Sequence, residues 1–438
     1  MRRLKRYICL VGLLALLAAA LTGCGFSDDS VEELFTLPRM AEEYTGLTQE
    51  LETLITQGYE YASPTGGRNI QSVQMADLDG DGQQEALAFF RMSSDEKPLK
   101  IFVFKIEGDS YARYCTIESS GTAIDSVYYQ DLNGDGRREL IVGWRISAEV
   151  QTVAVYTVAR EPVSLMSSGY TRFTIQDLNG DGIPSLLVLR TDADSQPVAE
   201  FYGWQEEQMG VAYRCVLSST MASVNRGSLV SGRLDADTPA LYITGVDEQG
   251  MAATDILVFR PDLGLVNLAL SGSSTGVSNA VFPYRQLLPQ DINGDGIIEL
   301  PSPDAGWTAE QTDGLVSWLC CDGNGQLSTV AKTYHSLSCG WYFTIPESWW
   351  DWSVETATTS ISNENQFSLA INGDPVLSLY TITGENRENR GRMGKRVLLR
   401  RQTATIYAGE LNDAAAYYGM DEDLLRRSFS LIVGSWSN

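Results

Sequence analysis

Four short loops in this chain combine acidic side chains and glycines at a constant spacing, and that spacing suits a hard cation. Oxygen-bearing side chains occupy positions 1, 3 and 5, glycine occupies position 6, and three of the loops carry a glutamate at position 9. Calcium takes about 6–8 oxygen ligands from carboxylates, amides and backbone carbonyls, so the loops predict calcium sites. The loops begin at Asp77, Asp131, Asp177 and Asp291.

The predicted ligands are the side chains at positions 1, 3, 5 and 9 and the backbone carbonyl at position 7. The third loop has Ser185 at position 9 and keeps only two acids, so its site is predicted to be the weakest. The predicted ligand residues are Asp77, Asp79, Asp81, Gln83 and Glu85 in loop 1; Asp131, Asn133, Asp135, Arg137 and Glu139 in loop 2; Asp177, Asn179, Asp181 and Ile183 in loop 3; and Asp291, Asn293, Asp295, Ile297 and Glu299 in loop 4.

The residues around the loops predict strands rather than helices. An EF-hand would place a glutamate at position 12, but that position is Ala88, Val142, Val188 or Ser302 here. Apolar runs rich in β-branched or aromatic residues follow three of the loops, and the segments before them alternate with a period near two, as strands do. Each loop is therefore predicted to join two strands as a hairpin. The alternative is an Asp/Gly-rich turn without metal.

The spacing of the loops predicts a repeat architecture. Their starts lie 54, 46 and 114 residues apart, and the longest gap contains a degenerate member with Asp235 and Asp237. A repeat of about 50 residues with several short strands is typical of a propeller blade. The D-x-[DN]-G-D-G-x-x-[DE] pattern resembles the FG-GAP/VCBS family, whose loops join the strands of integrin-alpha-like propeller blades. The resemblance covers residues 65–334 and implies a fold and calcium, without specifying a ligand.

The predicted fold is therefore mainly β. It consists of a β-propeller of about five recognisable blades, with six or seven left open, an N-terminal helix and a small C-terminal α+β domain. The helix is predicted over Met40–Gln57, where apolar residues recur at steps of three and four on one face. It would pack on the propeller or its rim, and the alternative is a seam for a partner helix.

The N-terminal residues 1–23 are predicted to be a lipoprotein signal peptide. Four basic residues precede an apolar run from Tyr7 to Ala20, and Leu21-Thr-Gly-Cys24 closes that run. This pattern predicts cleavage before Cys24 and attachment of a lipid such as palmitate to that cysteine. Residues 24–64 would then form a lipid-anchored tether and helix on the extracytoplasmic face of the cell membrane. The alternative is a transmembrane anchor, for which the apolar run is short.

The charge of the chain limits its partners. The formal net charge is -24, and removal of residues 1–23 takes away four positive charges to leave -28. A chain this acidic is not expected to bind nucleic acid or anionic lipid headgroups. The expected partners are the membrane, through the lipid on Cys24, and an unknown envelope protein or polysaccharide ligand.

The cysteines outside the signal peptide and the lipidation site are odd in number and contain no CxxC pair, which argues against a zinc site and a disulfide framework. Buried free thiols are predicted. A bridge from Cys320 or Cys321 to Cys339 is the alternative. The five cysteines are Cys115, Cys215, Cys320, Cys321 and Cys339.

After residue 334 the acidic repeats stop, and residues 335–438 are predicted to form a small α+β domain. Its Trp-Tyr-Phe-x-Ile-Pro-Glu-x-Trp opening is similar to the first strands of PsbP-like domains. A run of basic residues from Arg387 to Arg401 interrupts the acidic chain. It is interpreted as a solvated loop, with a docking site for an acidic partner or for the propeller as the alternative.

Residues for catalysis are few. The only histidine is His335, so any serine or cysteine triad would have to use it. A G-x-S-x-G match at 272–276 lacks the strand and helix of a nucleophile elbow. The chain is thus predicted to be a binding or scaffold protein at the cell envelope. The alternative is an extracytoplasmic polysaccharide hydrolase or lyase using acidic residues. Four tryptophans could line a sugar site but are expected to fill blade interfaces: Trp144, Trp204, Trp307 and Trp318.

Overall fold

The computed structural model describes residues 42–108, 110–248, 250–270, 280–282, 287–304 and 311–432. These residues form two compact units, one containing 42–58 and 104–113, the other containing 59–103 and 114–432. The predicted signal peptide, Cys24 and the G-x-S-x-G match at 272–276 lie outside the described residues. The helices are α1 (Glu42–Thr56), α2 (Met221–Val224), α3 (Arg387–Arg390) and α4 (Glu422–Ser428), with a 3₁₀ helix at Glu347–Trp349.

The first unit holds α1, which confirms the helix predicted from the apolar spacing. Leu47 and Leu54 are buried, and Tyr44 stacks on Tyr111 with the ring centroids 6.0 Å apart. The chain leaves the helix at Gly58, whose φ of 96° is a conformation that glycine adopts without steric cost. In the described part of the chain, no helix has the length and apolar character needed to cross a membrane.

The second unit is mainly β, as predicted. Its antiparallel sheets follow one another along the chain, and neighbouring strands within a sheet are mostly consecutive in sequence. Sheet 1 contains β1 (Glu60–Tyr61), β2 (Val73–Ala76), β3 (Glu85–Arg91), β4 (Leu99–Glu107) and β5 (Ser110–Ser119), of which Phe104–Arg113 belong to the first unit. Sheet 2 contains β6 (Ala123–Gln130), β7 (Glu139–Arg145), β8 (Gln151–Tyr156) and β9 (Ser164–Gly169). Sheet 3 contains β10 (Arg172–Gln176), β11 (Ser185–Thr191), β12 (Pro197–Gln205) and β13 (Gln208–Val216).

The later sheets continue this pattern, with one strand returning from the C-terminal region. Sheet 4 contains β14 (Ser228–Arg233), β15 (Pro239–Val246), β16 (Ala252–Arg260), β17 (Gly264–Asn267) and β18 (Val281–Phe282). Sheet 5 contains β19 (Leu300–Pro303), β20 (Asp313–Cys321), β21 (Leu327–Ser336), β22 (Trp341–Thr344) and β28 (Phe429–Leu431). Sheet 6 contains β23 (Val354–Ile361), β24 (Glu364–Ile371), β25 (Asp374–Ile382), β26 (Val397–Arg401) and β27 (Ile406–Leu411).

Successive sheets pack against each other because their inner strands bury both faces. In β7, Leu140 and Val142 pack toward sheet 1, while Ile141 packs toward sheet 3. In β11, Leu186 packs toward sheet 2 and Leu187 toward sheet 4. Because side chains alternate between the two faces of a strand, such apolar runs let β7 and β11 each pack against a neighbouring sheet on both faces.

The C-terminal region supplies a helix as well as strands. Sheets 5 and 6 share a core in which Phe343 and Leu369 meet Leu425 of α4. That helix begins at Asp421, whose carboxylate accepts the Leu424 N–H at 2.7 Å. The predicted boundary between residues 334 and 335 falls inside β21, and β28 returns to the same sheet.

Candidate metal sites

All four acidic loops join two antiparallel strands or strand-like segments, as predicted, and none is followed by an EF-hand helix. The residue before each loop is paired with the residue at position 9. These pairs are Ala76 with Glu85, Gln130 with Glu139, Gln176 with Ser185, and Gln290 with Glu299.

The aspartate at position 1 closes each loop through its two carboxylate oxygens, which accept the N–H groups of the glycines at positions 4 and 6. These distances are 2.7 and 2.8 Å for Asp131 and 2.8 and 3.2 Å for Asp77. The eight glycines have φ between 73° and 86°, so a side chain there would be strained. Asp177 and Asp291 make the same pair of contacts.

The aspartate at position 5 turns the chain toward the next strand. Its Oδ1 accepts the N–H of the residue at position 7, at 2.8 Å in every loop. The position 7 residues concerned are Gln83, Arg137, Ile183 and Ile297.

The glutamate at position 9 is the buried member of the set. Glu85, Glu139 and Glu299 are 1–4% exposed, and each accepts the N–H of the residue at position 2, at 2.7–3.0 Å. Burial raises the pKa of Glu139 to about 7, and the charges of Asp135 and Asp131 act in the same direction. Burial likewise raises the pKa of Glu299 to about 7. A nearby cation would offset this cost of burying a carboxylate.

Loop 1 gives a distance test for one cation. One carboxylate oxygen each from Asp77, Asp79 and Glu85 lies within 4.8 Å of the other two. Two oxygens bound to the same calcium at about 2.3–2.6 Å can be no more than about 5.2 Å apart. These three residues fit a shared calcium, for which hard oxygen donors are suitable. Asp81, the predicted ligand at position 5, is not part of this group, and among the described residues the acids of loops 2 and 4 form no group of this kind.

Loops 1 and 2 contact each other, and loop 4 contacts the degenerate hairpin. The Arg138 N–H of loop 2 donates to the Leu78 carbonyl of loop 1 at 2.7 Å. A Cβ added to Gly80 would lie 2.5 Å from the Gly136 carbonyl oxygen, so loops 1 and 2 touch through their backbones. The Ile298 N–H of loop 4 donates to the Arg233 carbonyl of the degenerate hairpin at 3.1 Å.

A further contact to loop 2, made by Trp204, was not predicted from the sequence. Position 8 of loop 3 is Pro184, which has no N–H to donate to the Leu132 carbonyl of loop 2. The indole Nε1 of Trp204 donates to that carbonyl instead, at 2.7 Å. Pro184 was the sequence signal for this contact, because without its N–H the Leu132 carbonyl needs another hydrogen-bond donor.

The degenerate member, which contains Asp235 and Asp237, lacks the contacts that the position 1 aspartate makes in the four full loops. It is a shorter hairpin between β14 and β15, in which Arg233 pairs with Pro239. The Asp235 carboxylate accepts the N–H groups of Asp237 and Thr238, at 3.0 and 2.8 Å. It forms a simple Asx turn, as expected from the loss of the glycines and of the leading aspartate.

The structure argues against the catalytic use of His335. The ring is 1% exposed, and burial lowers its pKa to about 4. Its Nδ1 lies 2.9 Å from the Thr333 hydroxyl, and the ring stacks on Tyr342. The five predicted free cysteines are all free, although only Cys115 and Cys321 are fully buried.

Two of the four tryptophans pack between sheets, as predicted, and a third does not. Trp144 is buried between sheets 1 and 2, Trp318 is buried in sheet 5, and half-buried Trp204 packs between sheets 2 and 3. Trp307 lies outside the described residues.

Two open depressions lie beside loops 1 and 2, and Arg138 lines both. The one beside loop 1 has a volume of about 460 Å³ and is lined by several side-chain amides, including Gln71 and Gln74. The one beside loop 2, of about 640 Å³, combines Trp204 with the carboxylates of Glu206 and Glu207. Both contain groups that could hydrogen-bond to a polar ligand.

Comparison of the chain with protein-family models and with curated proteins finds no match.

Proposed function

We propose that this chain is a lipid-anchored, extracytoplasmic, calcium-binding β-propeller of the FG-GAP/VCBS type that serves as a binding or scaffold protein at the cell envelope. The sheets would be its blades, the four acidic loops its calcium sites, and Cys24 its lipidated residue. The observation that carries the proposal is that the same turn, with glycines at positions 4 and 6, recurs in four loops. In three of them a buried glutamate occupies position 9.

Calcium would have a structural task in this arrangement. The loops lie at contacts between neighbouring sheets, and the buried His335 is not available as a catalytic base. Ions held at these places would fix the edge of the propeller. The depressions beside loops 1 and 2 would then present Arg138, Trp204 and amide groups to a polysaccharide or a protein in a constant geometry.

Location and binding can be tested together. In fractionated cells, we expect the chain to sediment with membranes and to be digested by protease added outside, whereas the Cys24→Ala variant should leave the membrane fraction. The purified chain is then mixed with envelope polysaccharide in calcium and in excess chelator. Retention that requires calcium, without new reducing ends, would support the binding function. A chain that stays inside the cell, or that binds nothing from the envelope, would contradict it.

A hydrolase is the second candidate, favoured by one observation. Glu206 and Glu207 lie in the same depression as Trp204, and two carboxylates beside an aromatic platform are the components of many glycoside hydrolases. The polysaccharide experiment separates the two functions, because steady release of reducing ends that is lost in Glu206→Gln/Glu207→Gln would identify the hydrolase.

Loop 3 offers a prediction about position 9. Ser185 occupies the strand position that holds glutamate in the other loops, so Ser185→Glu should supply the missing carboxylate and tighten calcium at this loop about tenfold. Titration calorimetry measures the affinity, and Ser185→Gln is the uncharged control of the same size. Thermal stability should rise in calcium only. Equal stabilisation by Ser185→Glu in chelator would show that position 9 is not a ligand.

A further inference from the structure

β23, at one edge of sheet 6, is a largely exposed strand. It pairs with β24 through eight residue pairs in unbroken register. Every residue from Glu355 to Ile361 is exposed, and in the described part of the chain no strand pairs with the outer edge of β23. Free edges present N–H and C=O groups to other chains, and proteins usually protect them with lysine, proline or a bulge. β23 contains none of these.

The two ends of this strand differ in charge. Asp351 and Glu355 are exposed at its beginning, next to the exposed Asp374 of the β24–β25 turn. At its other end, Arg390 donates to the Ser362 carbonyl at 3.4 Å. Arg396 lies nearby, where both arginines pair with the single carboxylate of Glu364. The strand therefore runs from an acidic end to a basic end.

Large apolar side chains are exposed at both ends. Tyr417 is 83% exposed at the acidic end, where its neighbour Tyr418 contacts Trp352. Ile361 is 69% exposed at the basic end, and so is Met393 at 60%. Met393 is held there by a backbone hydrogen bond to Arg390. Aromatic residues and methionine are enriched where proteins meet each other.

We propose that β23 pairs with β23 of a second copy of this chain, antiparallel, about a two-fold axis at Ala357. A symmetric antiparallel pair must place one residue opposite its own copy, and alanine is the smallest residue of this strand. In this register Thr356 lies opposite Thr358 of the second copy and Glu355 lies opposite Thr359, so like charges are not opposed.

The charge pattern specifies a second copy because the antiparallel arrangement sets unlike ends against each other. Asp351 of each copy comes to the Ser362–Asn363 turn of the other, where Arg390 is bound. Elsewhere a chain of net charge -24 repels its own copies, so this basic end is where self-association is favoured. The dimer depends on sheet 6 alone and goes beyond the proposed calcium and envelope function.

Paired charges at the predicted register test the dimer. The full chain in mild, density-matched detergent is expected to show twice the mass of one chain by sedimentation equilibrium. Thr356→Lys/Thr358→Lys sets lysine opposite lysine twice and should weaken the dimer about tenfold or more. Thr356→Lys/Thr358→Glu changes the same two positions but sets lysine opposite glutamate, and its dimer should match that of the parent chain.

Cross-linking gives a second measurement that does not depend on these variants. Ala357→Cys brings two thiols together across the axis and should yield a covalent dimer on mild oxidation, whereas Ile361→Cys should not. Unchanged thermal melting of the lysine variants would show that the sheet remains folded. A parent chain that is monomeric at its highest soluble concentration would overturn the proposal. So would equal dimerisation of both charge variants, or a parent dimer that Ala357→Cys fails to cross-link.

Discussion

Removal of calcium is expected to lower the melting temperature of this chain by on the order of 10 °C. A bound ion stabilises the folded state by about 2.7 kcal/mol at a concentration one hundred times its dissociation constant. Without the ion, the loop acids repel one another, and Glu139 and Glu299 keep buried carboxylates beside them. Scanning calorimetry at pH 8 in calcium, magnesium and excess chelator measures the effect. Magnesium should substitute poorly, because it demands a tighter octahedral shell.

The variant Glu139→Gln separates the contribution of bound calcium to stability from that of the fold itself. The glutamine can still accept the Leu132 N–H, which Glu139 accepts at 2.9 Å, but it removes the buried charge. In chelator the variant should be at least as stable as the parent chain, whereas in calcium it should be less stable because loop 2 has lost a ligand. Identical melting of the parent chain in calcium and chelator, with no calcium by elemental analysis, would rule out the metal sites.

Acid is expected to destabilise the chain through His335 by about 3 kcal/mol. Burial lowers the pKa of this ring from 6.5 to about 4, so between these values the unfolded chain binds a proton that the folded chain does not. Stability from this group is therefore complete above pH 6.5 and is lost as the pH falls toward 4. The Thr333 hydroxyl accepts the Trp318 Nε1–H and is placed to donate to the ring nitrogen, which suits the neutral form.

His335→Asn isolates this contribution from the carboxylates, which titrate in the same range. The variant should be less stable than the parent chain at pH 7, because it loses the stack on Tyr342. This difference should shrink by about 3 kcal/mol between pH 7 and pH 4. Denaturant unfolding measures both curves, and the single histidine gives an unambiguous NMR signal. A ring that titrates near pH 6.5 in the folded chain would contradict the prediction.

Local chemistry allowed the hairpins to be predicted well. The glycines at positions 4 and 6 and the aspartate at position 1 act within one loop, so their spacing alone specified the turn. The apolar runs after the loops predicted inner strands because burial on both faces needs continuous hydrophobicity. In contrast, the return of β28 to sheet 5 joins residues far apart in the chain, and no local pattern encodes it.

The residues of the candidate metal sites could be predicted from the sequence, but their contacts with other parts of the chain could not. The burial of Glu139 follows from its place at the start of β7, an inner strand of sheet 2. The contact of Trp204 with loop 2 depends on the packing of sheets 2 and 3, so Pro184 was its only, indirect signal in the sequence. Likewise, β23 is exposed because no strand of the described residues pairs with its outer edge, and its own residues do not encode that.

The backbone contact between loops 1 and 2 would couple their proposed metal sites. Gly80 lies against the Gly136 carbonyl, and Arg138 is bonded to Leu78, so a loop ordered by its ion restricts the motion of the next. The second ion would then order a loop that has already lost part of its conformational entropy, which would give positive cooperativity without any change of shape. Loop 4 touches only the degenerate hairpin among the contacts described above, so it should fill independently. Loops 1 and 2 would then fill cooperatively, and loop 4 would fill in a separate, simple step.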